Sequence, residues 1–322
     1  MKCPQCRHNH PVKQGMKCSK CFYPFTFNPK ESRSKALTDG KFETSIRKAS
    51  QNGTAVFTKN QLYAAYAKIA TGSGFVPLVI GIFLVITGVF TFFFIFSQIG
   101  LMILAFGGFF LLTGLFGNAK PISRSFFLQG VQRWQKAGKP IEGLIDEPSL
   151  QTPPADWAEN DIYQYGVERI LIVQRDILVD LMVKNNQHSE QRMLVIAESG
   201  YPEYLQPRVK QLLDESDDLS VFLLHDATAS GKKMKQRVLD LKWLPLRSHR
   251  LIDLGFFRDD YAKLKRADTV RGGYQGNDMP ADALMLGAMT LALGACFSTN
   301  SVIADEITRE ATNTANSGSS FG

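Results

Sequence analysis

Charge is missing from a long stretch of this chain. From Ile69 to Ala119, 51 consecutive residues include no Asp, Glu, Lys or Arg. Cysteine is also scarce, five in 322 residues, and after Cys21 only Cys296 remains. Such sparse and uneven use excludes a disulfide-stapled fold. With 44% hydrophobic residues the chain has ample material for a core, which excludes disorder throughout.

The charge that is present is divided. The net +7 resolves into +10 over residues 1–68, +5 over residues 120–139 and −8 over residues 140–322. Basic excess therefore flanks the uncharged block, where anionic lipid headgroups would lie. The acidic C-terminal region opposes sequence-independent DNA binding, which depends on neutralising phosphates.

The most apolar part of the block, residues 75–116, would extend about 63 Å as one helix, twice a hydrocarbon core of about 30 Å. The sequence therefore predicts two transmembrane helices at about 74–96 and 99–117, turned tightly at Ser97-Gln98 ahead of Gly100. Arg47, Lys48, Lys59 and Lys68 precede them, and Lys120, Arg124, Arg133, Lys136 and Lys139 follow. By the positive-inside rule both flanks, and both termini, face the cytoplasm. The expectation is a multi-pass protein of the cell (inner) membrane, with the lipid bilayer as its first partner. A buried hairpin of a soluble core is the competing reading. Gly81, Gly88, Gly107, Gly108 and Gly114 would permit close helix approach or a homo-oligomer. The block starts too far from Met1 to read as a signal peptide.

Four cysteines form Cys3-Pro4-Gln5-Cys6 and Cys18-Ser19-Lys20-Cys21, separated by 11 residues. Two such knuckles present four thiolates to one tetrahedral ion, which predicts a closed, structural zinc site. Two disulfides or a redox pair are the alternative, disfavoured in a reducing cytoplasm. His8 and His10 lie nearby and could substitute for a ligand, but read as solvated loop residues. Phe22, Tyr23, Phe25 and Phe27 predict a strand over residues 20–29. These features resemble the short zinc ribbons at the start of many bacterial membrane proteins, which implies a module that binds protein or nucleic acid. Helices are predicted over residues 41–50 and 58–70, the second opened by a capping box of Thr58 and Gln61. Asn52-Gly53 marks the turn between them.

After a linker with Pro148, Pro153 and Pro154 the periodicity changes. Apolar runs at Arg169–Val173, Met193–Ala197 and 219–224 alternate with helical patterns at Asp176–Lys184, 202–215 and 232–241. Short strands alternating with amphipathic helices predict an α/β domain with a parallel sheet. Its functional crevice would lie at the carboxyl ends of the strands. Those ends carry Gln174-Arg175-Asp176, Glu198-Ser199-Gly200-Tyr201-Pro202, and a loop from His225 to Gly231.

Over residues 169–235 this arrangement resembles a TOPRIM domain, most of all that of the topoisomerase VI A subunit and its meiotic DNA-breaking relatives. That family places a Glu after the first strand, Gly-Tyr-Pro after the second and Asp-x-Asp-Pro-x-Gly after the third. Here Gln174 stands at the position of the Glu, Asp226 is kept, Thr228 replaces the second Asp, and Gly231 is kept. The resemblance implies a divalent-cation site, with Mg²⁺ as its cofactor. With an amide and a hydroxyl in place of two carboxylates, it implies the fold without the strand-breaking chemistry unless Asp176 or Glu198 compensates. No companion nucleophilic tyrosine domain is recognisable. Ser230-Gly231-Lys232-Lys233 fails as a P-loop because Asp226 occupies the required upstream glycine, although amides near Gly231 would suit a phosphate.

The uncharged stretch from Ala283 to Phe297 is 15 residues long and reads as a helix packed on the sheet, not as a third span. Cys296 within it reads as buried, and the tail from Thr312 as disordered. The expected organisation is a ribbon at 1–30, a basic helical linker at 31–73, the hairpin at 74–117, a juxtamembrane linker at 118–154, the α/β domain at 155–311 and the tail at 312–322. The expected function is a scaffold or sensor that binds a protein partner. The alternatives are a metal-dependent nuclease or phosphotransfer enzyme using Asp226 with Asp176 or Glu198, and nucleic-acid capture by the basic N-terminal region.

Overall fold

A computed structural model describes residues 1–28, 37–71, 75–94, 97–116, 122–152, 166–246, 250–266, 274 and 279–318. Pro153 and Pro154 of the expected linker and residues 319–322 of the tail lie outside these. The chain divides into two compact units, one formed by Met1–Tyr66 with Ser123–Gly322, the other by Ala67–Ile122.

In the larger unit, α1 (Asp39–Ala49) begins at Thr38, whose side chain accepts the amide of Lys41. The turn after it places Asn52 at φ +64° and Gly53 at φ +92°. Strand β1 (Phe57–Thr58) leads directly into α2 (Lys59–Thr71). The capping box forms as expected: Thr58 Oγ1 accepts the Gln61 amide at 3.3 Å and Gln61 Oε1 accepts the Thr58 amide at 3.1 Å.

The smaller unit holds α3 (Phe75–Phe94) and α4 (Ser97–Phe116). They pack antiparallel through glycine. A Cβ on Gly81, Gly88 or Gly107 would fall within 2.9 Å of Leu111, Leu104 or Val85 respectively, so only hydrogen fits between the backbones. Gly108 faces no neighbour within 4 Å, so it plays no part in this contact. The helices whose side chains are described run Ile80–Phe92 and Gln98–Leu111, and among the described residues no single helix is long and apolar enough to cross a membrane. The two spans expected at about 74–96 and 99–117 are therefore not established by this structure.

Helix α5 (Arg124–Lys136) occupies part of the expected juxtamembrane linker, and β2 (Leu144–Ile145) pairs in parallel with β1. The ring of Phe42 on α1 meets those of Phe127 and Trp134 on α5, and Phe127 stacks on Tyr66 of α2. Interleaved aromatic rings bury large apolar areas. Segments that flank the apolar block thus share one core.

The α/β domain contains β3 (Arg169–Val173), α6 (Asp176–Lys184), α7 (Gln187–Glu190), β4 (Met193–Ala197), α8 (Gln206–Glu215), β5 (Ser220–Leu224), α9 (Met234–Leu239) and β6 (Leu251–Asp253). The sheet is parallel throughout, in the order β4-β3-β5-β6. Ile170 and Ile172 pack with Val209 and Leu213 of α8 and with Met234 and Val238 of α9. Leu171 and Val173 alternate to the other face and are equally buried. A sheet covered on both faces needs unbroken apolar strands, which these runs supply.

Among the described residues three further helices follow: α10 (Asp260–Arg266), α11 (Leu286–Thr299) and α12 (Ile303–Gly318). Phe297 of α11 meets Phe222 of β5 edge to face at 4.8 Å, so the stretch read as a packed helix does lie against the sheet. Cys296 is buried, and burial pushes its thiol up to about 12. Helices α11 and α12 are bent by 110° at a short break where Asn300 takes φ +54°. Helix α12 runs to Gly318, so helical structure enters the segment expected to be disordered from Thr312.

Candidate metal centre and the crevice of the sheet

The four N-terminal cysteines converge. Their sulfurs all lie within 4.8 Å of one another, with Cys3 Sγ 3.5 Å from Cys21 Sγ and Cys6 Sγ 3.6 Å from Cys18 Sγ. A tetrahedron with metal–sulfur bonds of about 2.3 Å has edges of about 3.8 Å. The four thiols are close enough to hold one ion, and no disulfide joins them.

The knuckles repeat each other. The amide of Cys3 donates to His8 O and that of Arg7 to Cys3 O, while the amide of Cys18 donates to Tyr23 O and that of Phe22 to Cys18 O, all at 2.9 Å. Arg7 and Phe22, each just after the second cysteine of its knuckle, take φ +59° and +60°. Two left-handed residues at equivalent positions fold each loop back around its sulfurs. Burial opposes ionisation of Cys18, but the amides of Cys21 and Lys20 donate to it and hold its thiol down to about 6.

His8 is exposed, whereas His10 is buried, which corrects its reading as a solvated residue. Its Nδ1 accepts the Ser19 amide at 3.3 Å, so Nε2 carries the proton and donates to Gly15 O at 2.9 Å. With both nitrogens engaged and its ring stacked on Phe25, His10 clamps the two knuckles together. Among the described residues of the strand expected over 20–29, the pairing is a single bridge between Lys17 and Pro24. Tyr23, Phe25 and Phe27 turn inward and Phe22 is 75% exposed. Asp39 of α1 anchors this segment: its carboxylate accepts the amides of Thr26 and Phe27, the Tyr23 hydroxyl and Lys139 Nζ.

The second site lies where the strand order reverses. Strand β3 is followed in space by β4 on one side and β5 on the other, which opens a crevice at their carboxyl ends. Gln174 and Asp226 meet there. Gln174 Oε1 accepts the Asp226 amide at 2.8 Å, and the Gln174 amide donates to Leu224 O at 3.0 Å. Thr228 turns back on its own loop, accepting the Gly231 amide at 2.9 Å. Gly231 is required here because a Cβ would fall 2.0 Å from Asp226 O.

A residue between two sequence candidates dominates the crevice. Arg175 Nε lies 2.8 Å from Asp226 Oδ2, and its Nη2 pairs with Asp282 Oδ1. Asp282 is fully buried and also accepts the Thr58 hydroxyl at 2.6 Å and Asn60 Nδ2 at 2.9 Å. Asn60 Oδ1 in turn accepts Arg124 Nε at 2.8 Å. The Ala281 amide donates to Asp226 Oδ1 at 2.7 Å. Burial pushes the Asp226 carboxyl up, and Arg175 only partly offsets it. Burial also opposes the charge on Asp282, but Arg175, Thr58 and Asn60 hold that carboxyl below its ordinary value.

Asp176 and Glu198, the possible substitute carboxylates, are engaged elsewhere. Asp176 accepts the Ser199 hydroxyl at 2.6 Å, and Glu198 pairs with Arg237, whose Nη2 lies 2.7 Å from Oε2. Neither Arg175 nor Asp282 is singled out by the sequence: Asp282 lies 107 residues beyond Arg175. The one available signal was Arg175 itself, a cation at the end of the first strand.

Fold and site together define an α/β protein with a doubly covered parallel sheet and a four-cysteine cluster able to hold a metal. No protein-family model, curated protein or solved structure matches the chain. The likeness to TOPRIM therefore rests on the residues quoted above.

Proposed function

We propose that this chain is a two-pass membrane protein that displays a zinc ribbon and a non-catalytic TOPRIM-like domain at the cytoplasmic surface, as a scaffold or sensor for a protein partner. The observation that carries this reading is the outer surface of the α3–α4 hairpin. Eleven large apolar residues, among them Ile82, Phe83, Ile86, Phe90, Leu101, Met102, Phe106 and Phe109, are exposed there. Water does not tolerate so large an apolar surface without a charged residue in it, and lipid does. The backbones of α3 and α4 run 20 residues each, about 30 Å of helix, and extend beyond the shorter stretches, Ile80–Phe92 and Gln98–Leu111, whose side chains are described.

Zinc fits the donor set: four soft sulfurs, no open position and a reducing compartment. Such a closed ion holds the knuckles together, and the surrounding amides stabilise the thiolates. A binding role, not catalysis, agrees with the crevice. Its carboxylate is paired with the protein's own guanidinium, which occupies the place a Mg²⁺ ion would need. Cysteine labelling tests the membrane reading. A Gln98→Cys variant should react with an impermeant maleimide from outside intact cells, while reporters fused at both termini stay protected and the chain stays in the membrane pellet at alkaline pH. Extraction into the alkaline supernatant would overturn the proposal.

A further inference from the structure

The ribbon displays one side chain that its own fold does not use. Phe22 is 75% exposed, more than any other large apolar residue among those described, the hairpin's Phe83 at 67% included. Its ring is absent from the apolar core of the module, where Cys3, Cys18 and Phe25 pack with Met1, Met16 and Tyr23. The backbone does not favour it either. Phe22 takes φ +60°, and its amide is fixed by Cys18 O at 2.9 Å. Glycine or asparagine meets that conformation at least cost, and a bulky residue there is an outlier. Burial and backbone preference both disfavour phenylalanine at this position, which points to a contact outside the module.

The surrounding charge selects that contact. Residues 1–28 contain Lys2, Arg7, Lys13, Lys17 and Lys20 and no Asp or Glu. All five cations are exposed. A folded module of this length has a radius of gyration of about 8 Å, so each charge lies within about two Debye lengths of the ring. Even the −2 of a zinc ion on four thiolates leaves the module cationic. The partner is therefore anionic. A single-stranded nucleic acid needs successive aromatic platforms, yet Tyr23 and Phe25 pack into the module and His10 stacks on Phe25. A folded protein would have to supply a pocket fitted to one protruding ring. A bilayer interface accepts the ring in any orientation and surrounds it with phosphates.

We propose that the ribbon docks on an anionic bilayer surface, Phe22 entering at the level of the headgroups while Arg7, Lys17 and Lys20 meet lipid phosphates. This inference rests on the membrane reading for the surface it meets, and adds a reversible attachment to the hairpin. In the test, the full chain in nanodiscs of neutral phosphatidylcholine is mixed with sedimentable vesicles of phosphatidylcholine, alone or with about 30% phosphatidylglycerol. It should pellet with the anionic vesicles only, and come off as salt rises from about 0.1 to 0.5 M. Phe22→Gly relieves the backbone and takes nothing from the core. The ribbon should keep its metal while vesicle affinity falls about tenfold or more, as for withdrawing one aromatic side chain from an apolar phase. Lys13→Ala and Lys17→Ala should each cost about fivefold. A chain that enters the nanodiscs but stays in the supernatant with anionic vesicles overturns the docking alone. A chain that never enters them contradicts the membrane reading, and its own pelleting then decides the docking directly. Equal pelleting of the parent and Phe22→Gly, or displacement of the vesicles by a single-stranded oligonucleotide whose binding needs Phe22, would also overturn it. Should Phe22→Gly lose its metal, Phe22→Asn takes its place, since asparagine also tolerates this φ.

Discussion

The chain gathers metal-ligating residue types in two places, and the two differ in what surrounds them. At the N-terminus four sulfurs face one another within 4.8 Å. No cation of the protein is described among them. At the crevice Asp226 and Asp282 also converge, but Arg175 lies between them and pairs with both. A cluster of ligands attracts an ion only while its charge is uncompensated. The ribbon meets that condition and the crevice does not, so similar ligand chemistry supports a metal centre in one region and a structural knot in the other.

The sharpest way to break this comparison is to remove a ribbon ligand. Cys18→Ser should lose the bound metal entirely and with it the fold of residues 1–28. Structural zinc supplies on the order of 10 kcal/mol of apparent binding free energy, and a segment with so small a core has nothing to replace it. Metal content by atomic absorption should fall from one ion per chain to none, and proteolysis should become rapid within the ribbon. Retention of a full equivalent of metal would show that the four sulfurs are not its ligands.

Arg175→Ala gives the next largest effect. It leaves Asp226 and Asp282 without their guanidinium, a loss expected to cost about 3–5 kcal/mol, as for other broken buried ion pairs. The variant also converts the crevice into something closer to the ribbon, with carboxylates and no cation. Thermal unfolding in detergent should therefore become sensitive to millimolar Mg²⁺ in Arg175→Ala while the parent chain is indifferent. Magnesium stabilising the parent would mean that the crevice is a metal site after all. Thr58→Val is a milder cut in the same knot. It removes the helix cap of α2 and one donor to Asp282, and should lower stability by about 1–2 kcal/mol.

How far the sequence disclosed this architecture depends on whether the relevant signal is local. The strands at Arg169–Val173 and Met193–Ala197 carry continuous apolar runs, and both ends coincide with the observed elements. Thr58 and Gln61, three residues apart, disclosed their own capping box. The cysteines were legible because ligand spacing is a local property. In contrast, β6 contributes only Leu251, Ile252 and Asp253, too short a run to show a period. The aromatic core of Phe42, Phe127 and Trp134 joins segments on either side of the apolar block, and no local pattern predicts that meeting. The crevice was half legible. Gln174, Asp226 and Thr228 sit at strand ends as expected, but the role of Asp226 depends on Asp282, brought in by a distant loop.

The smallest predicted effect concerns the floor of the same crevice, where His225 is buried beside Asp253. Its Nδ1 lies 2.9 Å from Asp226 O, and its Nε2 lies 3.2 Å from Asp253 Oδ1. A carbonyl oxygen only accepts, so Nδ1 carries a proton; a neutral ring would then turn a lone pair toward the carboxylate. An imidazolium places a charge 3.2 Å from the Asp253 carboxylate, an ion pair and not an aligned hydrogen bond. Burial opposes that charge, yet Asp253 and the Asp226 carbonyl raise the His225 pKa above its ordinary value. Burial would likewise raise Asp253, but His225 holds it below. The raised histidine contributes stability that is complete below its unfolded value of about 6.5 and is lost as pH rises through its folded value. The depressed Asp253 contributes above about 3.9 and loses its share as pH falls through its folded value. Stability should therefore be greatest between about pH 4 and 6.5 and fall on the alkaline side, by a small amount because Asp253 is partly solvated. His225→Gln should flatten that alkaline limb. Gly255→Ala should flatten it too, since a Cβ there would fall 2.2 Å from His225 Cδ2 and displace the ring. A parent chain whose stability holds level from pH 6 to pH 9 would show instead that the ring is neutral.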